Sequence, residues 1–148
     1  MRLGGVNTLD TAVQIISQLR GIPSAAAFRK WVRAALPRAA YITLRIVNGA
    51  EAQQLNRKFR RQDYAANVLT FEYGGTPLAA DIVLCAQAVA RESREQGKPL
   101  AAHYAHLTVH GVLHAQGFDH LNTRDAQIME AREIAILSKL GFDNPYET

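Results

Sequence analysis

The stretch from residue 103 to residue 120, HYAHLTVHGVLHAQGFDH, contains all five histidines of the 148-residue chain. Within it, His110 and His114 are separated by four positions, so on an α-helix they project from the same face on adjacent turns. Gly117 is expected to end that helix, because glycine adopts the left-handed conformation beyond a helix C-terminus at little cost. The chain then turns back, and His120 can approach the same point from the loop. The sequence therefore predicts a helix and a following loop on which three imidazoles converge.

Three neutral imidazoles around one point leave a fourth coordination position open, which is typical of catalytic zinc, whereas structural zinc is closed by four protein ligands. Histidines at relative positions 1, 5 and 11 with glycine at position 8 also match the spacing of the metzincin zinc motif. The glutamate that serves as general base in that motif is replaced here by Gly111. We therefore predict a metal-dependent hydrolase that holds its metal through His110, His114 and His120 and lacks the usual base of a peptidase. Three imidazoles suit zinc, but also nickel, copper or iron.

Four neighbouring residues have roles that spacing alone leaves open. Gly111 costs about 1 kcal/mol relative to alanine inside a helix, so it indicates close approach of another backbone or space beside the metal for a substrate. His106 lies one turn before His110 on the same face. Three roles are open for it: a hydrogen-bond partner of the site, a substrate contact or a competing ligand. His103 is predicted to be solvated. Asp119 either orients an imidazole or accepts backbone hydrogen bonds in the turn, and the second role is favoured.

The composition is that of an ordinary globular protein, with 48% hydrophobic and 20% charged residues, and the length favours one domain spanning residues 1–148. No apolar run approaches the ~20 residues of a membrane span and no signal peptide is evident, so we expect a cytoplasmic protein with no membrane partner. Cys85 cannot form an internal disulfide, which fits a reducing compartment. A formal charge of +4 is compatible with a polyanionic partner, but is also common in proteins that bind no nucleic acid.

Hydrophobic periodicity and breaker residues predict about four strands and about five helices after a loose start at residues 1–10. The strands are expected at residues 11–18, 41–47, 67–73 and 79–85, and the helices at 24–36, 50–59, 86–95, 100–116 and 123–140. Asn48-Gly49 is interpreted as a turn. The mixed order favours an α+β (α/β) single domain with a small mixed sheet, and the zinc site lies on a central helix and the following loop.

Four segments resemble the YbeY family of bacterial endoribonucleases and ribosomal RNA maturation factors. HGVLHAQGFDH resembles the family signature HGxLHxxGYDH, and LNRKFRRQDYAANVLTFEY resembles LNxxYRxxDxxTNVLSFPF. AADIVLC resembles the strand GDIVIC, and GFDNPYE resembles the ending GYxxPY. Together these segments cover about residues 41–148. The chain departs from the family pattern at Ala80, where the family has glycine, and at Ala66, where it has threonine.

The resemblance implies a single α/β domain that binds one zinc ion through His110, His114 and His120. It also implies that Arg60 is important for activity. The implied substrate is single-stranded RNA, in maturation of the 3′ end of 16S ribosomal RNA and in ribosome quality control. The implied partners are ribosomal RNA, the small ribosomal subunit with its proteins, and the Era GTPase.

A mechanism that fits these residues is cleavage of a phosphodiester with zinc activating the reacting groups. Arg60 would bind the phosphate through two parallel hydrogen bonds, whereas without the resemblance it is interpreted as a solvated helix-end arginine. Candidate substrate-binding residues are Arg57, Lys58, Arg61 and His106, the first three along a path for the RNA backbone. No general base is assigned, and water and the ribose 2′-hydroxyl remain alternative nucleophiles.

Two other classes of function are kept open. One is a metallopeptidase-like hydrolase that takes its base from elsewhere in the fold. The other is a non-catalytic ribosome-assembly factor with structural zinc, in which a fourth protein ligand such as His106 would replace water.

Overall fold

A four-stranded mixed sheet lies at the centre of the computed structural model, which describes residues 9–147. The strands are β1 (Leu9–Ile15), β2 (Ala40–Val47), β3 (Val68–Gly74) and β4 (Leu78–Cys85). They follow the order β1-β2-β4-β3, in which β1, β2 and β4 are parallel and β3 is antiparallel to β4. β3 is therefore at an edge of the sheet, and the candidate site is built beside it.

Five helices pack on this sheet within the described part of the chain. They are α1 (Ala25–Ala35), α2 (Gly49–Arg60), α3 (Ala86–Gln96), α4 (Leu100–Ala115) and α5 (Thr123–Lys139). Ser24 caps α1 by accepting the Ala27 N–H at 3.1 Å, and Asn122 caps α5 by accepting the Asp125 N–H at 2.9 Å. Gly97 ends α3 in the left-handed conformation, with φ 64°. Local side-chain caps therefore mark the starts of α1 and α5, and a left-handed glycine marks the end of α3.

Alternating side chains of the strands divide the core between the two faces of the sheet. The larger cluster, beneath α1 and α4, includes Phe28, Ile42, Leu44, Ile46, Ile82, Leu84, Tyr104 and Leu113. The smaller cluster, beneath α2 and α3, consists of Val47, Ala52, Leu69, Val83, Cys85 and Ala88. Ten of the sixteen residues of α4 are buried, so α4 is a central helix and only its remaining positions are available for a site.

The predicted fold class is confirmed, because the structure is an α+β domain with five helices and a four-stranded mixed sheet. None of the helices in residues 9–147 is long and apolar enough to cross a membrane. The two ends of the predicted single domain, residues 1–8 and residue 148, lie outside the described residues.

Three local predictions were wrong. Leu9 and Asp10 were expected in a loose start, but both belong to β1, which pairs with β2 from Leu9 to Ile15. The strand ends there rather than at residue 18, because the Ile16 and Ser17 N–H groups both donate to the carbonyl of Ile46 and one-to-one pairing stops. The predicted Asn48-Gly49 turn is instead the start of a helix, with α2 beginning at residue 49.

Candidate metal centre

The structure brings the three predicted metal ligands into one cleft. α4 presents His110 and His114 on adjacent turns and ends at Ala115, and Gly117 follows with φ 100°. The chain turns back, and the ring of His120 lies 5.9 Å from the His110 ring and 6.4 Å from the His114 ring, measured between centroids. All three side chains line the cleft beside β3. The helix and loop geometry inferred from the spacing is therefore present.

The three rings are too far apart, as they stand, to coordinate one metal ion. Among residues 9–147, no three His, Cys, Asp or Glu side chains lie close enough to hold a metal ion as they stand. Zn–N distances of about 2.0–2.1 Å in tetrahedral geometry require ring centroids about 5 Å apart, so the imidazoles must approach one another by roughly 1 Å. His120 can make this movement, because it lies on a loop with 60% of its side chain exposed. Zinc binding stays a prediction.

The hydrogen bonds of His110 and His114 leave both rings in a form that can bind a metal. His110 Nδ1 lies 2.8 Å from Glu133 Oε2, and His114 Nδ1 lies 3.1 Å from the carbonyl oxygen of Phe118. Carboxylate and carbonyl oxygens accept hydrogen bonds, so Nδ1 carries the proton in both rings. In this tautomer each Nε2 keeps a free lone pair, which a metal ligand needs.

Glu133 of α5 is a fully buried carboxylate that supports this arrangement. Its Oε2 accepts from His110, and its Oε1 is 2.7 Å from His106 Nε2 and also accepts from the hydroxyl of Tyr146. Burial would raise the pKa of Glu133, but the hydrogen bonds from His106, His110 and Tyr146 together outweigh it and lower the pKa to about 2. Glu133 is therefore an anion that orients His110 from behind.

Sequence reasoning missed Glu133 because it lies on a separate helix with no motif spacing to the histidines. One signal was available. The buried residues of α5 are Met129, Glu133 and Leu137, which recur every four positions, so the carboxylate interrupts an otherwise apolar stripe. A charged residue in a core stripe indicates a buried partner.

His106 lies next to Glu133 rather than in the cleft. Its Nε2 is 2.7 Å from Glu133 Oε1 and 3.2 Å from the Tyr146 hydroxyl oxygen, and it is not among the residues lining the cleft. Of the three open interpretations, the geometry favours a hydrogen-bond partner of the site. A contact between His106 and substrate stays a prediction.

The prediction that His103 is solvated was wrong. Its ring is buried, and its Nε2 lies 2.8 Å from Glu92 Oε1, because α3 packs against this part of α4. Burial lowers the pKa of His103, and the hydrogen bond to Glu92 opposes that effect only in part. Asn67 Nδ2 approaches both oxygens of Glu92, at 3.0 and 3.2 Å. The carboxylate is therefore held from two sides.

Glu92 is the second residue that sequence reasoning missed. It lines the cleft with the three predicted ligands, and among the described residues on that wall it is the only carboxylate. The sequence had left the general base unassigned. A fixed carboxylate in the cleft is chemically able to accept a proton from a nucleophile.

Arg60 lies on the wall of the same cleft, at the C-terminal end of α2. Its Nη2 donates to the carbonyl oxygen of Thr70 on β3, and its guanidinium carbon lies 5.4 Å from the ring centroid of Phe71. These contacts hold the guanidinium against the edge strand, near the histidines that α4 supplies. A role for Arg60 in catalysis stays a prediction.

The other three basic residues of this segment lie at the exposed end of α2, and none is among the residues lining the cleft. Arg57 forms an ion pair with Asp63, with 2.7 Å between Nη2 and Oδ1. Lys58 lies over the Phe59 ring, and Arg61 follows the helix in the left-handed conformation with φ 57°. Their role in binding an RNA backbone stays a prediction.

Gly111 faces the sheet, so the expectation of space beside the metal was wrong. A Cβ atom at this position would lie 2.9 Å from Ile82 Cγ2 and 3.4 Å from Thr70 Oγ1. The glycine therefore lets α4 lie close to β3 and β4, against side chains rather than against another backbone. Asp119 has the favoured turn role, because its Oδ1 accepts the His120 N–H at 2.7 Å.

Comparison with known proteins agrees with this architecture. The family model for endoribonuclease YbeY matches residues 16–141. The chain is 54% identical over 143 residues to the endoribonuclease YbeY of Thiobacillus denitrificans, which covers 95% of this chain and 97% of that one. It is 60% identical over 122 residues to that of an Acidovorax species, covering 81% and 80% of the two chains.

A solution structure of a Thermotoga maritima protein has the same fold, with a TM-score of 0.58 at 19% identity, covering 92% of this chain and 99% of that one. The family match spans the sheet from β2 onward, α1 to α5, and every candidate ligand. The chain therefore belongs to the endoribonuclease YbeY family.

Proposed function

We propose that the protein is a zinc-dependent endoribonuclease that cleaves single-stranded RNA. Membership in the endoribonuclease YbeY family supports a nuclease that hydrolyses phosphodiester bonds. The observation that carries the proposal is the meeting, in one cleft, of three imidazoles and the Arg60 guanidinium. Imidazoles suit a catalytic metal, and a guanidinium suits a phosphate.

Zinc would be held by His110, His114 and His120, and when bound it supplies a Lewis acid that stabilises negative charge and promotes ionisation of water. The carboxylate of Glu133 keeps the Nδ1 proton of His110 in place, so that Nε2 stays available. Arg60 uses one N–H on the Thr70 carbonyl, and a guanidinium has five. The remaining donors can bind two oxygens of a phosphate and stabilise the charge that develops there.

We assign the role of proton acceptor to Glu92. Its carboxylate is held by Asn67 and His103 on the cleft wall, so it does not need to reorganise when a nucleophile approaches. The nucleophile is water or the ribose 2′-hydroxyl, and in either case its proton moves to a carboxylate oxygen as the new bond to phosphorus forms. The bond from phosphorus to the leaving ribose oxygen breaks, and that oxygen takes up a proton from solvent.

The finer biological role rests on the resemblance described above. It consists of maturation of the 3′ end of 16S ribosomal RNA and ribosome quality control in the cytoplasm, with the small ribosomal subunit and the Era GTPase as partners. Accumulation of 16S precursor in cells that lack the protein, reversed by the wild type but not by Arg60→Ala, is the expected result. Normal 16S ends in such cells would contradict this role.

The deciding experiment measures bound zinc and RNA cleavage in parallel. His114→Ala is expected to lose both, whereas Arg60→Ala is expected to keep zinc and lose cleavage. Arg33→Ala is the matched control, since it also removes a positive charge from the last turn of a helix but lies outside the cleft lining, and it should retain both properties. Full cleavage by a metal-free His114→Ala protein would overturn the zinc mechanism.

The two alternative functions find little support in the geometry. The helix position that carries the base of a peptidase is Gly111, and a side chain there would collide with Ile82 in the sheet. The fourth ligand considered for structural zinc was His106, whose Nε2 is already 2.7 Å from a Glu133 oxygen. Casein cleavage that is retained in Arg60→Ala would instead support the metallopeptidase-like function.

A further inference from the structure

A second cavity adjoins the metal cleft on the other side of Arg60. Its volume is about 500 Å³, within the usual range for small-ligand pockets. It shares three wall residues with the cleft, namely Arg60, Thr70 and His114. Nothing in the proposed cleavage step uses this cavity, yet a chain bound across Arg60 would pass its mouth.

The floor of the cavity is apolar and partly aromatic. It is formed by the part of the sheet face that α2 leaves open, with Phe71 of β3, Val83 of β4 and Leu55 at the inner side of α2. Phe59 packs edge-on against Phe71, with ring centroids 5.4 Å apart, and Phe59 remains 54% exposed. An exposed aromatic ring beside a phosphate-binding arginine is a stacking surface for an unpaired nucleobase.

The wall away from the cleft carries negative charge. Asp81 Oδ2 accepts a hydrogen bond from the Tyr73 hydroxyl at 2.6 Å, which raises the pKa of Tyr73 and keeps it protonated. An ionised carboxylate has further acceptor positions beyond that one bond. Glu72 lines the same wall. Donor groups of a ligand can therefore bind here.

The distribution of charge determines which part of a nucleotide can enter. The carboxylate of Asp81 repels a phosphate, whereas the guanidinium of Arg60 attracts it. The other arginine on the wall, Arg45, is already paired with Glu51 at 2.7 Å. A nucleotide therefore fits in one orientation, with its phosphate at Arg60 and its base in the cavity.

We infer that this cavity is a base-binding subsite for a nucleotide adjoining the cleaved phosphate. The base stacks on the exposed ring of Phe59, with Phe71 packed edge-on beside that ring, and Asp81 selects a base with an exocyclic amino donor. Cytosine is preferred over uracil, because cytosine presents an amino group where uracil presents a carbonyl oxygen. A paired base has its hydrogen-bonding edge occupied, so the subsite also favours single strands. This inference rests on the proposed nuclease function.

The test compares short single-stranded oligomers of cytidine and of uridine, which have the same backbone charge and stack weakly. Binding is measured by fluorescence anisotropy with 2′-O-methyl oligomers, and cleavage with unmodified oligomers and zinc. The wild type is expected to bind the cytidine oligomer about fivefold more tightly. Asp81→Asn should abolish that preference, because an amide offers a donor as well as an acceptor.

Phe59→Leu should weaken binding of both oligomers by a similar factor, since stacking does not depend on the identity of the base. Asp143→Asn is the matched control, because it removes the same charge from the wall of a different cavity and should keep the preference. Thermal unfolding of each variant checks that the fold is retained.

Equal affinity of the wild type for both oligomers, or a preference that survives Asp81→Asn, would overturn the subsite. Unchanged affinity of Phe59→Leu would also overturn it. If both oligomers are bound and cleaved without preference, only the subsite fails and the nuclease stands. If neither is bound nor cleaved in the presence of zinc, both proposals fail.

Discussion

Two histidine–glutamate pairs flank the cleft along α4, and they are arranged in opposite ways. In one pair, His103 is 4% exposed and its partner Glu92 is 25% exposed and lines the cleft. In the other, Glu133 is buried and its partner His110 is 26% exposed and lines the cleft. Both pairs have the same 2.8 Å separation between nitrogen and oxygen.

The comparison shows how one local contact can support two kinds of chemistry. A buried imidazole that donates to an accessible carboxylate leaves an acceptor in the cleft, which suits proton transfer. A buried carboxylate that accepts from an accessible imidazole leaves a nitrogen lone pair in the cleft, which suits a metal. Which member of the pair is buried therefore decides what the cleft can do.

The largest expected effect is on catalysis, through the pair whose carboxylate faces the cleft. Glu92→Gln should lower kcat/KM for RNA cleavage by about a hundredfold, because an amide cannot accept the proton, and zinc content should be unchanged. Glu95→Gln, an exposed carboxylate on the same helix, is the control and should leave the rate unaltered. Wild-type cleavage by Glu92→Gln would assign proton transfer to another group.

The second expected effect is on metal affinity, through the pair whose histidine faces the cleft. Glu133→Gln should weaken zinc binding by about 10- to 100-fold, because the amide orients His110 less strongly and withdraws the negative charge. Competition with a chelator measures this effect independently of RNA cleavage. If Glu92→Gln lowered zinc affinity equally, the two pairs would not differ in their roles.

The third prediction concerns the packing that places α4 against the sheet. Gly111→Ala adds a methyl group 2.9 Å from a core methyl of Ile82. The free energy of unfolding should fall by about 1–2 kcal/mol, since overpacking costs more than the helix propensity that alanine contributes.

Chemical denaturation measures this change, and the chain offers a matched control. Gly49→Ala is also a helical glycine-to-alanine change, but its added Cβ has nothing within 4 Å. It should leave stability unchanged or slightly raised. Equal stability of Gly111→Ala and Gly49→Ala would show that α4 can move away from the sheet without cost.

The smallest expected effect is a pH dependence of stability from His103. Burial lowers its pKa below the usual 6.5, so the unfolded chain binds a proton more readily than the folded protein does. Its contribution to stability is therefore complete above pH 6.5 and is lost as the pH falls through the folded pKa. Chemical denaturation at pH 7.5 and at pH 5.5 should show a smaller loss for His103→Gln than for the wild type. An identical loss would mean that folding does not lower the pKa of His103.

The sequence by itself determined the features that depend on short-range spacing. The order of strands and helices, the caps at Ser24 and Asn122, and the turn at Gly117 each depend on a few neighbouring residues, and local chemistry decides them. The convergence of His110 and His114 has the same origin, because helix geometry alone places residues four apart on one face.

Only the tertiary structure decided which partners lie behind these residues. Glu133, Glu92 and the buried state of His103 depend on contacts between separate helices, and such contacts have no fixed spacing along the chain. The direction that Gly111 faces depends on how α4 lies on the sheet, which the period of one helix does not specify. Local rules therefore identified the three histidines of the cleft, whereas long-range packing determined which group is buried in each pair and hence the chemistry available to the cleft.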